Sequence, residues 1–133
     1  MNHEETSPAD PQSQVLWLSR ALRALVVAFA VAANLRLFNV LRQGDRFGEV
    51  FDEMLAGAKI PTSTEIFTSY PLEIYGATSL LTVAAVFVIL AKKREPMFLA
   101  FGVLVGFLSY VLSEAASYAY WLPIQEVMRQ LTG

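Results

Sequence analysis

LEIYGATSLLTVAAVFVILAKKREPMFLAFGVLVGFLSYVLSEAASYAYWL, residues 72–122, decides the fold. Two apolar runs, Leu72–Ala91 and Met97–Leu122, flank the short break Lys92-Lys93-Arg94-Glu95-Pro96. A bilayer core is about 30 Å thick, and a helix rising about 1.5 Å per residue crosses it in about 20 residues. Both runs meet that length. A break this short forces an immediate return, so the two spans form an antiparallel helical hairpin. Tyr118, Tyr120 and Trp121 mark the far end as an aromatic belt, and Pro123 is expected to stop or bend the helix there. Ile124–Gly133 then reads as a short polar tail with Glu126 and Arg129.

Upstream lies a third apolar segment, Val15–Leu41, uninterrupted over Ala24–Leu35 and bracketed by Arg20, Arg23, Arg36 and Arg42. It predicts a span at 21–41 with arginines snorkelling at both ends. The segment is apolar on every side, unlike an interfacial amphipathic helix. Ala30-Val31-Ala32 resembles a signal-peptide cleavage site, which leaves retention or cleavage of this span open, although its n-region would be long and acidic. Residues 1–14 hold Glu4, Glu5, Asp10, Pro8 and Pro11 and no basic side chain. Such a stretch buries too little apolar surface to offset its ordering entropy, so 1–14 reads as a disordered acidic tail. Residues 15–133 then form a single three-helix transmembrane domain.

Between the first two spans, Asp45 can cap a helix at about 46–56. Phe47, Val50, Phe51, Met54 and Leu55 fall on one stripe, with Arg46, Glu49, Asp52 and Glu53 off it, and Gly57 ends it. This amphipathic helix either packs on the end of the bundle, floats in the headgroups, or offers Phe47, Phe51, Met54 and Leu55 to a partner. The Thr62-x-x-Glu65 spacing is a capping-box signature and predicts a short helix leading into the second span. The expected fold class is therefore an all-α membrane protein, with three transmembrane helices and one amphipathic interfacial helix in the first loop.

Composition agrees. The chain is 55% hydrophobic and 17% charged, against about 45–50% and about 25% in soluble domains, and its mean hydropathy is +0.45. An ordinary soluble enzyme domain is excluded. So is a strongly basic nucleic-acid binder, because 10 Lys+Arg stand against 12 Asp+Glu. Without cysteine there is no thiolate chemistry and no Cys-ligated metal. The single histidine, His3, lies in the tail, and no phosphate loop, HExxH or GxSxG occurs. No catalytic, cofactor-binding or metal residue is assigned, and no cofactor is expected.

Arg20, Arg23, Lys92, Lys93 and Arg94 fall on one side of the expected spans; Arg36, Arg42, Arg46, Lys59 and Arg129 fall on the other. The counts tie, but Lys92–Arg94 is a dense block in a short turn, whereas the opposite loop also carries Asp45, Glu49, Asp52, Glu53 and Glu65. The positive-inside rule then places the turn and the N-terminus in the cytoplasm.

Two constellations stand out inside the spans. Gly102-x-x-x-Gly106, continued by Ser113 and Ser117, makes a row of small residues suited to close helix packing. Glu114 lies seven residues before Trp121, about 10 Å inside the far interface. An ionisable group at that depth costs a few kcal/mol unless paired or wet. Arg36 comes from the first span at a similar depth, which predicts a structural ion pair facing the bundle; a lipid-facing, snorkelling pair and a proton or ion relay are the alternatives. Asn34 and Asn39 read as interhelical hydrogen-bonding residues.

Phe51-Asp52-Glu53-Met54, then Ile60-Pro61-Thr62-Ser63-Thr64, then a long apolar span, resembles the inner-membrane platform family of type II secretion and type IV pilus systems. That family shows Phe-x-x-Met, Leu-Pro-x-x-Thr and a membrane helix. Trp121-Leu122-Pro123-Ile124 is similar to the Tyr-Leu-Pro-Ile that closes its last span. The resemblance implies a bacterial inner-membrane protein with this loop outside. Where the family carries helical cytoplasmic domains, however, this chain has only Lys92–Glu95. The expected role is a small non-enzymatic subunit or scaffold, with the lipid bilayer, a larger membrane complex or further copies of itself as partners. A small oligomeric pore is the alternative.

Overall fold

A computed structural model describes residues 10–54, 59–91 and 96–133, with the side chains of Asp52 and Met54 left aside. Among the described residues there are four helices and no strand: α1 Pro11–Met54, α2 Thr62–Ser69, α3 Pro71–Ala91 and α4 Pro96–Thr132. Three of them, α1, α3 and α4, are long and apolar enough to cross a membrane. Leu55 and the Lys92–Glu95 turn lie outside the described residues.

The α1 helix corrects two expectations. It begins at Pro11, so Pro11–Gln14 is helix and not tail. The Asp10 carboxylate accepts the Gln12 N–H at 3.3 Å, and Pro11, whose missing N–H costs nothing at a first helical position, follows it. The helix also does not end near Leu41. It runs 44 residues to Met54, roughly 66 Å at the usual rise, about twice the bilayer core. Gln43-Gly44-Asp45 marks where the apolar span ends, not where the helix ends. One buried stripe, Val26, Ala30, Ala33, Leu37, Leu41, Gly44 and Phe51, runs straight through it. Tertiary packing on that stripe outweighs the local polar break.

α1 and α4 run parallel in direct contact, and α3 packs antiparallel against both. Val26 lies against Gly102, Ala30 against Gly106, and Gly44 against Tyr120. On α3, Ile89 meets Gly102, the Ser79 hydroxyl donates to Asn34 Oδ1 at 3.3 Å, and Tyr75 stacks on Phe38 with ring centroids 4.8 Å apart.

The middle of the bundle is packed by small residues. A Cβ added at Gly106 would lie 3.2 Å from the Ala30 Cα and closer still to the Phe29 ring. The helices therefore approach backbone to backbone, which is how helices associate where lipid removes the hydrophobic drive. Two of the buried hydroxyls bond their own helix: Thr82 donates to the Thr78 carbonyl at 2.8 Å and Ser113 to that of Tyr110 at 2.7 Å. Leucine, valine and phenylalanine side chains such as Leu80, Phe87, Leu104 and Phe107 point outward.

The other end is packed by large residues. Leu37, Leu41, Ala116 and Tyr120 are buried there, with Phe47, Phe67 and Leu112 against them. The short α2 closes this end. Its N-cap is Pro61 and no side chain caps it, so the Thr62–Glu65 capping box does not form. Thr62 is already helical, and the segment is positioned instead by the threonine two residues on.

That residue, Thr64, is fully buried and donates from Oγ1 to the carbonyl of Ala119 at 2.6 Å. Ala119 is four residues before Pro123, and α4 continues through Pro123 to Thr132. Proline has no N–H to return to that carbonyl. The α2 hydroxyl occupies the acceptor that the proline leaves open, as buried backbone groups require. Pro123 thus does not end the helix, and the polar tail beyond it is helical to Thr132, because a residue 59 positions upstream takes up the open carbonyl.

Candidate functional site

Arg36, Val40, Gln43 and Phe47 recur at three- and four-residue spacing on α1; Tyr110, Glu114, Ser117, Trp121 and Ile124 do the same on α4. These stripes meet along one flank of the helix pair. The α1 residues that meet α3, Asn34 and Phe38, lie on a different stripe.

Glu114 accepts an ion-paired hydrogen bond from the Arg36 guanidinium. The Arg36 head also sits over the Tyr110 ring, 4.9 Å from its centroid, a cation–π contact. The pair does not face the bundle interior. Both side chains are about half exposed, 48% for Arg36 and 49% for Glu114. The reason is azimuth. Ser113 and Leu37, the immediate chain neighbours, are fully buried, and one residue further turns a helix by about 100°. That step carries each charge out of the core and onto the flank.

Toward the loop end, the same flank opens into a groove of about 290 Å³. Val40, Gln43 and Phe47 form one wall, and Ser117, Trp121 and Ile124 the other, with Tyr120 at the base. Trp121 stands 54% exposed at its rim. Phe47 stacks on Phe51 and on Tyr120, with ring centroids 5.9 Å apart in each case, and Phe51 is buried. Phe47 and Phe51 therefore serve the bundle and are not presented by a loop. Leu55 lies outside the described residues, as does the Met54 side chain.

Gly102, Gly106 and Ser113 are buried, and α4 uses them against α1 and α3. Ser117 is half-buried and belongs to the groove wall. The row continues instead through Ser109, Ala116, Ala119 and Tyr120. An alternating four-and-three spacing finds Ser109; a strict repeat of four does not. Asn34 is buried, whereas Asn39 is exposed. Two buried polar atoms, Asn34 Nδ2 and Ser109 Oγ, make no hydrogen bond. Sequence reasoning also passed over Thr64, whose signal was the proline five dozen residues away.

Among the described residues no group of three or more His, Asp or Glu side chains is arranged to hold a metal. The chain matches no protein-family model, no curated protein and no solved structure.

Proposed function

We propose that this chain is a small non-enzymatic subunit or scaffold of a larger assembly in a bacterial inner membrane, docking through its α1–α4 flank. One observation carries the reading: the Arg36–Glu114 pair lies on the outside of the helix pair, half exposed, at a depth where lipid solvates charge poorly. Arg36 is eight residues, about 12 Å, inside the level at which Gly44 meets Tyr120. A structural pair serving the fold alone is better placed in the core. A pair on the flank is suited to a protein surface that covers it.

The polar groups of the interior support the same reading. Thr78, Thr82 and Ser113 donate along their own helices, and Asn34 Oδ1 accepts from the neighbouring helix. The likeness of Phe51–Met54 and Ile60–Thr64 to the platform family, together with the Lys92–Arg94 block, supports the inner membrane and a cytoplasmic N-terminus.

The test is the mass of the tagged chain extracted from membranes in mild detergent. A particle containing other proteins, in fixed ratio, is expected; a free 14.7 kDa chain overturns the proposal. Orientation is read in intact cells with an impermeant thiol reagent. Glu53→Cys should react and Lys93→Cys should not; the reverse result inverts the topology.

A further inference from the structure

We infer that the occupant of the α1–α4 flank is a second copy of this chain, related by a two-fold axis along the membrane normal and joined through exchanged Arg36–Glu114 contacts. The inference rests on reading the flank as a docking face, and adds what docks there.

The argument is charge complementarity at fixed depth. Seen from outside the flank, Arg36 stands on one helix and Glu114 on the other, at one level, both half exposed. Copies inserted in the same direction carry these charges at the same depth. A two-fold axis along the normal preserves depth and exchanges left for right. The second copy's Glu114 then faces Arg36, and its Arg36 faces Glu114. Four charges alternate around a ring in which every neighbour has opposite sign. An isologous contact is self-complementary by construction; an unrelated helix would need a matching charge pair at this depth by coincidence.

The groove beside the pair obeys the same operation. In the mate, α4 faces α1 of the first copy. Arg36 pairs with Glu114, so a step of seven residues on both helices brings the second copy's Trp121 to the level of Gln43. Trp121 is half exposed, and Gln43, Val40 and Phe47 line an open groove of about 290 Å³. An aromatic ring with a donor tip thus meets an apolar groove with an amide at its rim, an arrangement frequent in interface anchors. The glycine row cannot provide this contact, because Gly102 and Gly106 already lie against Val26, Phe29 and Ala30 of the same chain.

The absence of native cysteine makes the test direct. Full-length chains with different tags, one carrying Val40→Cys and one Ser117→Cys, are co-expressed and oxidised in native membranes. A mixed disulfide dimer is expected. Val40→Cys paired with Leu80→Cys, a 73% exposed position on α3, should give none. A mixed dimer no more abundant than in that control overturns the inference. A second measurement uses charge: a chain with Arg36→Glu and one with Glu114→Arg should each be monomeric alone and associate when mixed, since only the mixture sets opposite charges against each other across the interface. Homodimers of either reversed chain would overturn it too. The two proposals fail separately. A multi-protein particle without the mixed disulfide refutes the second copy and leaves the subunit reading intact. A particle of twice 14.7 kDa containing nothing else refutes that reading and leaves the second copy in place.

Discussion

The middle of the bundle and its loop end are built on opposite rules. In the middle, Gly102, Gly106, Ala30, Ser109 and Ser113 are buried or in close contact, and large side chains point away. At the loop end Phe51, Tyr120 and Leu41 are buried, with Phe47 and Phe67 packed against them. A leucine turned to lipid loses nothing relative to one turned to a neighbouring helix, so association there depends on how closely backbones approach. Past the apolar span, water restores the drive to bury large apolar surface. One pair of helices, α1 and α4, satisfies both rules in succession.

The contrast is sharpest in its largest expected effect. Phe51→Ala removes a buried ring from the loop end and should cost about 3–5 kcal/mol, as such truncations do in soluble cores. Unfolding by SDS titration in mixed micelles measures it. A loss below about 1 kcal/mol would mean that the loop end is not held by hydrophobic burial.

In the middle the damaging change is the opposite one, an added side chain. Gly106→Leu must displace α1 at Ala30 and should cost about 1–3 kcal/mol, toward the upper end because backbone cannot step aside. Gly76→Leu is the control, since a Cβ there meets nothing within 4 Å. Equal stability of the two variants would refute close backbone packing as the principle of the middle.

The junction between the regions is tested at Thr64. Thr64→Val keeps shape and removes the donor to Ala119, which should cost about 1–2 kcal/mol for an unsatisfied buried carbonyl. In a Pro123→Ala background the alanine N–H can return to that carbonyl, and the same substitution should cost much less. Additive losses in this cycle would show that Thr64 matters for another reason.

The smallest effect belongs to the flank. Arg36→Gln and Glu114→Gln should each destabilise more than the double variant, with a coupling of about 1 kcal/mol, because half exposure softens both the attraction and the penalty of a lone charge. Additivity would remove the pair from the energetics altogether.

Some of this was legible in the chain and some was not, for definite reasons. Apolar runs of about 20 residues announce spans whatever surrounds them, and α3, Pro71–Ala91, nearly coincides with its run. The polar residues at Gln43–Asp45 announce the end of the apolar span, but a helix persists as long as one stripe stays buried, and Phe51 keeps it buried. Pro123 is a helix breaker by local rules, and its compensation lies on another element, out of reach of any local window. Depth places Arg36 and Glu114 at one level. It carries no information about azimuth, so an interior contact and a flank contact look alike in sequence. Apolar periodicity puts Phe47 and Phe51 on one stripe without saying whether α4 or a partner receives it.

The position of Thr64 in the chain bears on biogenesis. A ribosome delivers α1, α2 and α3 before α4, so Gly102, Gly106 and the Ala119 carbonyl are the last of these groups to reach the membrane. Until then α1 has no glycine row to close against, Phe47 has no Tyr120 to stack on, and Thr64 has no carbonyl to bond. The final segment to be inserted therefore supplies the main packing partner for the first. A chain halted before residue 119 would present an open aromatic end, and apolar surface left exposed in this way makes unfinished proteins prone to aggregate.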